Sequence, residues 1–384
     1  MKSKAVLLRS GSVNPDPPVE KVACELVKSG FEVTVLSWDR DNQYSSAESE
    51  IAFPCGKAKI VRFGIPAVYS GGFKKNIVPL IKFEKKLLKW LENNKTKYDI
   101  IHAFDMDTGI VAAIAAKKHK TKLVYHILDF YADSHCSENS FLRKIVKNTE
   151  FSVINAADAV IICTEKRLCQ IKGSKPKLIG VIHNTPDGNI LTGRAANDFS
   201  NSERIKIAYA GILTANRLIC ELVQCVMSDD RFELYIAGFG ELEGYIKDCG
   251  SKCDRIIYRG KLPYDEVLAM ECSCDIMTAM YSPNVVNHRY AAPNKLYEAM
   301  MLGKPVIMCK NTGWDEVITQ NNIGILADAS KEGVRDALNM IYSERDQWHI
   351  MSENGKKLYQ NMYSWEIMKK RLIDIYNSVC SEGE

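Results

Sequence analysis

A cation and a carboxylate three residues apart open a predicted helix in the segment 293–300, Pro-Asn-Lys-Leu-Tyr-Glu-Ala-Met. Lys295 and Glu298 therefore share one face of that helix. The free backbone N–H groups and the dipole at a helix N-terminus favour an anion, so a lysine there suits a phosphate group. A carboxylate one turn later suits sugar hydroxyls. The pair predicts a binding site for a nucleotide diphosphate; a surface lysine beside a solvated first-turn acid is the alternative.

The composition indicates an ordinary globular protein with two domains. Its 384 residues are more than one hydrophobic core usually supports, and 46% hydrophobic with 26% charged residues is typical of soluble proteins. No apolar run is long enough to span a bilayer and no signal-peptide pattern is present, so we expect a cytoplasmic location. The 13 cysteines follow no metal-binding pattern, which predicts reduced thiols. A net charge of only +4, without a stripe of arginines and stacking aromatics, disfavours nucleic-acid binding.

Short runs rich in Val, Ile and Leu alternate with stretches of helical periodicity along the chain. Such alternation predicts parallel sheets with helices on both faces. Residues 184–202 lose the pattern and collect turn formers, so they predict a linker between a domain at 1–188 and a domain at 203–363. The predicted strands are 4–9, 32–38, 59–63, 99–103, 122–126, 159–163 and 178–182 in the first domain, and 205–210, 232–237, 255–258, 276–280, 305–309 and 324–326 in the second.

Four motifs follow one another in the second half of the chain. They are Ile-Ala-Tyr-Ala-Gly-Ile-Leu at 207–213, Leu-Tyr-Ile-Ala-Gly-Phe-Gly at 234–240, Tyr-Arg-Gly-Lys-Leu-Pro at 258–263, and the segment 293–300 followed by Gly-Lys-Pro-Val-Ile at 303–307. In this order and spacing they resemble the retaining glycosyltransferases of the GT-B fold, and most closely family 4. The resemblance is strong over residues 204–326 and continues more weakly before them.

The resemblance implies an α/β protein of the GT-B fold, with two doubly wound Rossmann-like domains that face each other across a cleft. The first domain would bring the acceptor, and the second would bind the nucleotide sugar. The C-terminal helix, 364–384, would pack back on the first domain. Ligands of such sheets bind beyond the carboxyl ends of the strands, which places the expected site in the cleft.

The resemblance also assigns roles in the second domain. Lys295 would bind the diphosphate and Glu298 the ribose. Arg217, six residues after Gly211, matches the place of a phosphate-binding lysine in the family, and an exposed helix arginine is the alternative. The glycines would let the backbone approach the ligand, or serve only as turns. The predicted donor-binding residues are Gly211, Gly238, Gly240, Gly260, Leu262, Asn294, Glu298, His288 and Tyr290.

The chain departs from the family pattern at two positions near the donor. Eight residues before Glu298, where many members carry a glutamate that contacts the transferred sugar, this chain has Tyr290. After the glycine that opens the second domain, where many have an arginine, it has Ile212. His288 and Arg289, just before the helix, are the predicted substitutes; a loop of solvated polar groups is the alternative.

Two places in the first domain are predicted to lie on the acceptor side. The loop 10–16, with Gly11 and Ser12, follows the first strand and precedes a helix, and a plain strand-to-helix turn is the alternative. Asp105 and Asp107 follow a later strand, where they would either line the same site or cap the next helix.

The segment 124–133 follows a central strand and holds ionisable groups after an apolar run. It resembles a family loop that often contains a His-Glu pair, at whose positions this chain has Leu128 and Asp129. Asp129 is therefore a predicted site residue. His126, two residues earlier, is either a ligand contact or a core histidine.

These features predict a retaining glycosyltransferase of the EC 2.4 class, of hexosyl or N-acetylhexosaminyl type. Its donor would be a UDP-sugar or GDP-sugar, and its acceptor a hydroxyl of a glycan or lipid-linked molecule in the synthesis of a cell-surface polysaccharide or glycoconjugate. Front-face displacement asks mainly for positioning and for positive charge at the diphosphate. Arg217, Lys295 and helix dipoles would supply that charge, so we expect no cofactor and no metal. The predicted catalytic residues are Arg217, Lys295, Asp129 and His126.

Two other functions stay open. A non-catalytic GT-B subunit that binds a nucleotide sugar or a partner glycosyltransferase would account for Tyr290, Ile212 and Leu128. A GT-B epimerase of nucleotide sugars would need an acid and a base around the sugar, which we cannot assemble from the sequence.

Residues 74–97 carry eight lysines and two acids, interleaved with apolar residues. A basic amphipathic helix of this kind can lie on an anionic membrane and face lipid-linked substrates, which would place the protein at the inner face of the cell membrane. The alternative is a helix that packs its apolar side on the sheet and leaves its lysines in water. The sugar, the base, the acceptor and the oligomeric state are not determined by the sequence.

Overall fold

The computed structural model describes residues 3–43, 48–68, 72–136, 140–188 and 203–381. The chain divides into two compact units, one formed by Met1–His183 with Met368–Glu384 and the other by Asn184–Ile367. Most of the predicted linker, 189–202, and the last three residues of the predicted C-terminal helix, 382–384, lie outside the described residues.

Within its described residues, the first unit contains an eight-stranded sheet. Its strands are β1 (Lys4–Arg9), β2 (Glu32–Asp39), β3 (Glu48–Phe53), β4 (Gly56–Gly64), β5 (Ile100–Phe104), β6 (Lys122–Ile127), β7 (Ala159–Ile162) and β8 (Ile179–Val181). They lie in the order β3-β4-β2-β1-β5-β6-β7-β8, and all neighbours are parallel except the antiparallel pair β3 and β4. Residues 5–8 of β1 are all buried, as expected where helices cover both faces of a parallel sheet.

The helices of the first unit are α1 (Pro17–Lys28), α2 (Gly72–Asn93), α3 (Asp105–His119), α4 (Tyr131–His135) and α5 (Phe141–Ala156). Helix α1 starts with two prolines, whose fixed φ suits the first turn of a helix. Ser140 caps α5 by accepting a hydrogen bond from the backbone N–H of Arg143, 3.1 Å away. These local signals set where the helices begin.

Helix α2 is the basic helix of the sequence pattern. It packs Phe83, Leu87 and Leu91 into the core of the first unit, where all three are fully buried. Four of its lysines, at positions 82, 85, 86 and 89, are exposed. The apolar side of the helix is therefore used for packing within the unit, which is the alternative that the sequence left open.

The second unit contains, within its described residues, a six-stranded sheet in which every neighbouring pair is parallel. Its strands are β9 (Ile205–Ile212), β10 (Phe232–Phe239), β11 (Ile256–Tyr258), β12 (Ile276–Ala279), β13 (Val306–Cys309) and β14 (Gly324–Ala327), in the order β11-β10-β9-β12-β13-β14. Its helices are α6 (Ile219–Met227), α7 (Glu243–Lys252), α8 (Tyr264–Ser273), α9 (Asn294–Leu302), α10 (Asp315–Asn321), α11 (Lys331–Ser343) and α12 (Trp348–Leu358).

The last helix, α13 (Trp365–Ser381), begins in the second unit, and from Met368 onward it belongs to the first. Within the first unit, Arg371 donates a hydrogen bond to the carbonyl oxygen of Val181 at 3.2 Å, and Tyr376 lies fully buried. The C-terminal residues are thus packed within the first unit, together with the N-terminal part of the chain.

The prediction of an α/β protein with two parallel-sheet units is confirmed. The antiparallel strand β3 was not predicted. Its first three residues, Glu48, Ser49 and Glu50, are exposed and charged or polar, so it lacks the apolar run by which the other strands were recognised. Across the described residues, the helices fall short of the length and apolar character that crossing a bilayer requires.

Candidate functional site

Two glycines of the second unit lie where neighbouring backbone segments approach closely. A Cβ atom on Gly238 would overlap the carbonyl oxygen of Gly211 on the adjacent strand, and one on Gly240 would lie 2.6 Å from the carbonyl oxygen of Leu213. The N–H of Gly238 also donates to the carbonyl of Gly260 at 2.8 Å. Packing alone therefore requires glycine at 238 and 240, whatever their part in ligand binding.

Open space lies beside two other predicted glycines. A Cβ on Gly211 would meet only the Tyr209 hydroxyl, at 3.6 Å, and one on Gly260 would meet nothing within 4 Å. Their φ angles, 151° and 71°, still favour glycine. Of the remaining predicted contacts, Leu262 packs against the core and Asn294 is the exposed first residue of α9. Packing therefore leaves space beside Gly211 and Gly260 that the neighbouring atoms of the protein do not fill.

Helix α9 presents Lys295 and Glu298 on one face, in direct contact. The ammonium of Lys295 donates a hydrogen bond to the Glu298 carboxylate at 2.7 Å. The other carboxylate oxygen of Glu298 accepts from the Tyr264 hydroxyl, on α8, at 2.9 Å. Glu271, also on α8, lies 3.3 Å from the same ammonium. Both carboxylates are fully buried, whereas the Lys295 side chain keeps 14% of its surface exposed.

Burial and the paired charges shift the protonation of this group. Desolvation disfavours the charge on Lys295, but the carboxylates of Glu271 and Glu298 outweigh it and raise the pKa of the lysine. Desolvation, reinforced by the charge of Glu298, raises the pKa of Glu271, against the opposing effect of Lys295. Desolvation and the Glu298 charge raise the pKa of Tyr264, which stays a neutral donor. Among Lys295, Glu298, Glu271 and Tyr264, the lysine therefore remains positively charged.

Arg217 ends a 3₁₀ turn, Ala215–Arg217, just before α6. Its guanidinium carbon lies 3.5 Å from the centroid of the Tyr281 ring. The hydroxyl of the buried Tyr209 donates a hydrogen bond to the carbonyl of Ile212 at 2.7 Å. Desolvation raises the pKa of Tyr209, while the charges of Arg217 and Lys295 both oppose that rise, so both cations lie near this hydroxyl. The fold therefore brings Arg217 and Lys295 to the carboxyl ends of β9 and β12.

The residues just before α9 form a folded turn. They make a 3₁₀ turn, Val286–Tyr290, in which His288 is buried and bonds through Nδ1 with the carbonyl oxygen of Ser282 at 3.0 Å. Arg289 donates to the carbonyl of Pro283 at 2.8 Å, and Tyr290 is half-buried. His288 also meets the Tyr281 ring edge-on, at 5.2 Å between centroids. For His288, the alternative of a solvated polar loop is therefore wrong.

The loop after β1 begins at Arg9, for which the sequence predicted no role. Arg9 donates to Asp16 at 2.8 Å, which ties the end of β1 to the start of α1. The carbonyl of Gly11 accepts from the backbone N–H of Trp38 at 3.2 Å. Ser12 is exposed. This loop is therefore anchored at its base.

Asp105 joins three parts of the first unit. It accepts a hydrogen bond from the Arg9 guanidinium at 2.6 Å and from the backbone N–H groups of Leu128 and Asp129, at 2.8 and 3.0 Å. Burial raises its pKa, although Arg9 opposes the shift. Its φ is 61°, unusual for a residue other than glycine. Asp105 therefore holds the 124–133 segment in place and makes no side-chain cap to α3.

Asp107 lies near other polar groups at the same edge of the sheet. Its carboxylate accepts from the Ser10 hydroxyl at 2.9 Å. Desolvation, with a contribution from Asp107, raises the pKa of Glu84 to about 7. Asp107 also faces the Tyr131 hydroxyl, whose pKa is raised by burial first and by this carboxylate second. Throughout the part of the chain that the structure describes, no three His, Cys, Asp or Glu side chains are grouped to hold a metal ion.

His126 is part of a buried chain of rings. Its Nδ1 lies 3.2 Å from Nε2 of His102, whose Nδ1 lies 2.8 Å from the Tyr376 hydroxyl on α13. Desolvation, and then the charge of Arg9, lowers the pKa of His126 to about 3, so the ring is neutral. Its Nε2 has no hydrogen-bond partner among the described residues. These contacts fit the core-histidine interpretation, with one ring nitrogen still available.

Asp129 is the most accessible of the predicted catalytic groups, with 60% of its side chain exposed. Behind it lies Arg167, fully buried, whose guanidinium donates to Asp129 at 3.2 Å, to Cys163 at 2.9 Å and to Gln170 at 2.9 Å. The buried cation orients an exposed carboxylate. The sequence did not predict a role for Arg167, because it follows two charged residues, Glu165 and Lys166, and such a run is typical of a solvated turn.

The structure adds Tyr264 and Glu271 to the predicted donor residues. A signal for both was present, since positions 264, 267, 268 and 271 follow the spacing of one buried helix face. Glu271 can be recognised as a buried acid only when the helix that carries it has been predicted. Tyr281 carried no comparable signal.

Two family models cover most of the chain. The model described as Glycosyltransferase Family 4 matches residues 19–187, and the model described as Glycosyl transferases group 1 matches residues 204–344. An uncharacterized glycosyltransferase of Methanocaldococcus jannaschii is 23% identical over 182 residues, a match that covers 45% of this chain and 45% of that relative. The matched segment thus spans less than half of the relative.

Solved structures with similar folds cover nearly the whole chain. Sucrose-phosphate synthase of Thermosynechococcus elongatus has a TM-score of 0.77 at 16% identity, with 100% of both chains covered. The Anabaena protein HepE in complex with UDP-glucose has a TM-score of 0.69 at 15% identity, covering 97% of this chain and 99% of that one. At such low identity these similarities concern the fold.

Proposed function

The chain belongs to the family 4 glycosyltransferases of the GT-B fold, and we propose that it transfers a sugar from a nucleotide diphosphate sugar to a hydroxyl group with retention of anomeric configuration. The observation that supports this proposal is that Arg217 and the Lys295–Glu298 pair both lie near Tyr281 and Tyr209, residues at or just beyond the carboxyl ends of β12 and β9. In open α/β sheets this is the edge where ligands bind.

Arg217 is the proposed anchor of the diphosphate. Its contact with the face of the Tyr281 ring restricts the movement of the guanidinium. A planar donor held in this way can bind phosphate oxygens without reorganising, which is the condition for stabilising the charge that develops on the leaving group. Arg217 therefore takes the catalytic role assigned from the sequence.

Lys295 and Glu298 are proposed to act together on the donor. In the free protein Glu298 has no exposed surface and Lys295 is the accessible member of the pair. We propose that the ammonium turns toward the diphosphate and frees a carboxylate oxygen for a ribose hydroxyl. A carboxylate offers about four acceptor sites, so the bond from Tyr264 persists.

The acceptor is proposed to bind to groups of the first unit. Asp129 is exposed and held by Arg167, so it is the proposed contact to the acceptor hydroxyl or to the transferred sugar. Ser12 and Asp107 are further proposed contacts. His126 is neutral and buried, which leaves it a hydrogen-bonding role through Nε2. In front-face displacement the leaving phosphate takes the proton of the acceptor hydroxyl, so no strong protein base is needed.

UDP-hexoses and UDP-N-acetylhexosamines are the donors that we propose first, because HepE, of similar fold, was crystallised with UDP-glucose. The proposed acceptor is a hydroxyl of a glycan or of a lipid-linked molecule in cell-surface polysaccharide or glycoconjugate synthesis. We also propose that no metal is required, since Arg217 and Lys295 can supply the positive charge at the diphosphate.

We propose that the protein is cytoplasmic and that it makes reversible contact with an anionic membrane. Its support is the row of exposed lysines at 82, 85, 86 and 89 on α2, whose apolar side is anchored in the core. Phe83, Leu87 and Leu91 cannot insert into lipid while they are buried, so such contact would be mainly electrostatic, with an apolar contribution from the exposed Val78 and Ile81 of the same helix.

The test is a screen of UDP- and GDP-sugars for binding, for slow hydrolysis and for transfer to glycan acceptors. We expect one donor to bind and to be hydrolysed, and NMR of the product sugar to show the anomeric configuration of the donor. An inverted product would exclude the retaining mechanism. Binding without hydrolysis or transfer to any acceptor would favour the non-catalytic subunit, for which Tyr290 and Ile212 are the supporting residues.

A further inference from the structure

We infer that Glu271 is a positioning residue of the donor site: together with Glu298 it holds the Lys295 ammonium between α8 and α9, and its own charge sets how strongly the site attracts a nucleoside diphosphate. This inference rests on the proposed function of that site. Glu271 is a positioning residue and not a catalytic one, because it acts through Lys295.

The geometry singles out Glu271 among the acids of the second unit. Its carboxyl group is fully buried and lies 3.3 Å from the ammonium of Lys295. Among the described residues this contact with Lys295 is the one polar contact found for its two buried oxygens, and it falls outside strict hydrogen-bond geometry. Buried carboxyl groups are rarely left in this state, since it costs stability. An acid kept there at such a cost points to a function.

The charges of the group do not balance. One ammonium faces two carboxyl groups, so the group carries a net charge of −1 when both are ionised and is neutral when one holds a proton. Desolvation and the nearby Glu298 carboxylate raise the pKa of Glu271, whereas the pKa of Lys295 is raised by its two acidic partners and the lysine stays charged. Glu298 accepts hydrogen bonds from Lys295 and Tyr264, which favour its charged form, whereas Glu271, in the part of the chain that the structure describes, has only its contact with Lys295. The proton that the two carboxyl groups can bind is therefore assigned to Glu271.

Other titratable groups surround Glu271 and Lys295. Three of them stay neutral because burial raises the pKa of each: the hydroxyl of Tyr264 on the same helix as Glu271, the thiol of Cys274 just after that helix, and the hydroxyl of Tyr209 on β9, near Lys295. Tyr359, which faces Tyr264, has its pKa raised by burial to about 12. The remaining groups are Lys295 and Glu298 on α9, with Tyr281 beside the lysine.

A diphosphate next to Lys295 adds negative charge and therefore favours the proton-bound form of Glu271. Binding should take up a proton, and affinity should weaken as pH rises through the titration of Glu271 in the free protein. If the donor raises the pKa of Glu271 by about one unit, affinity falls about tenfold across that range.

The experiment measures the dissociation constant of UDP-glucose by calorimetry between about pH 6.5 and about pH 9, where its diphosphate does not titrate. Wild type is compared with Glu271→Gln, which keeps the shape of the side chain, and with Glu266→Gln, which removes an exposed acid from the same helix. With a free-protein pKa of about 8 for Glu271 and a rise of about one unit on binding, we expect affinity to fall about fivefold between these pH values in wild type and in Glu266→Gln. In Glu271→Gln affinity should stay constant. Equal pH dependence in wild type and Glu271→Gln would overturn the inference.

A second measurement separates this inference from the proposed function. Failure of UDP-glucose to bind at any pH would count against the proposed donor, while the charge of Glu271 can still be read from stability. Because its folded-state pKa is raised, Glu271 should make wild type progressively less stable, relative to Glu271→Gln, as pH rises over the same range. An equal difference in unfolding free energy at every pH would mean a purely structural role and would also overturn the inference.

Discussion

The guanidinium of Arg217 stacks on the ring of Tyr281, with 3.5 Å between the guanidinium carbon and the ring centroid. The two residues come from different segments, one after β9 and one after β12, and their stacking fixes the proposed phosphate ligand before any donor arrives. A cation on an aromatic face contributes about 0.5–1 kcal/mol at an exposed site.

Replacing Arg217 should therefore lower turnover in two steps. Arg217→Lys keeps the charge but loses the planar stack, and Arg217→Ala loses both, so we expect kcat to fall moderately in the first variant and by about a hundredfold in the second. Steady-state kinetics with the identified donor measures this. Arg335→Ala, on an exposed face of α11, is the control and should retain activity. Wild-type turnover in Arg217→Ala would place the phosphate site elsewhere.

Glu298→Ala should affect both donor binding and stability. The change leaves the buried Lys295 with one acid, and breaking a buried ion pair costs about 3–5 kcal/mol, less here because Glu271 remains. Urea unfolding should show a loss of about 2 kcal/mol, the cost of an unpaired buried group, and calorimetry a weaker donor affinity. Glu353→Ala, which removes an exposed acid of α12, should change neither. Unaltered donor affinity in folded Glu298→Ala would exclude the ribose contact.

The stability of the first unit should depend on the protonation of Glu150. This acid is fully buried, accepts from the Tyr125 hydroxyl and the Tyr131 N–H at 3.0 Å each, and has its pKa raised by burial to about 8 from an ordinary 4.5. Between these values the folded chain binds a proton that the unfolded chain lacks, so the contribution of Glu150 to stability falls as pH rises.

Glu150→Gln tests that sign. The amide oxygen still accepts hydrogen bonds but never ionises, so the variant should gain stability relative to wild type as pH rises from about 5 to about 8, by about 1.4 kcal/mol for each unit of pKa difference between the folded and unfolded states. Urea unfolding at several pH values measures it. Glu50→Gln, an exposed acid of β3, should show a flat difference over that range. A flat difference for Glu150→Gln would mean that this acid is ionised in the folded protein.

His126 should remain neutral throughout the range in which the protein is assayed. With its pKa lowered to about 3, its ring nitrogens should show constant NMR shifts above about pH 5. Tyr376→Phe should leave Nδ1 of His102 without its partner, change the ring-nitrogen shifts of both histidines and cost about 1–3 kcal/mol of stability. A His126 signal that titrates near pH 6.5 would show that the ring is reached by solvent.

Reversal of four charges on α2 should abolish binding to anionic vesicles. Each lysine near the surface contributes on the order of 1 kcal/mol, and salt screens the attraction within about a Debye length. Sedimentation with anionic and neutral vesicles, at low and high salt, compares wild type with a variant carrying Glu at 82, 85, 86 and 89. A variant with Glu in place of the exposed lysines 247, 252, 356 and 357 of the second unit is the control. Binding that survives the α2 change would exclude this helix as the contact.

The sequence by itself determined the local features of this protein. The alternation of apolar runs and helical stretches predicted two parallel sheets, and the three-residue spacing put Lys295 and Glu298 on one helix face, because both properties depend only on backbone periodicity. The glycine-containing motifs predicted the family.

Only the tertiary structure decided which distant groups meet. It brought Glu271 to Lys295 from a different helix, and it joined His102 to Tyr376 across 274 positions of the chain. It also showed that Asp105, predicted either to line the site or to cap the next helix, accepts hydrogen bonds from the backbone after β6. Such contacts depend on the order of strands in the sheet and on which helices pack side by side, and no local pattern of residues encodes that order.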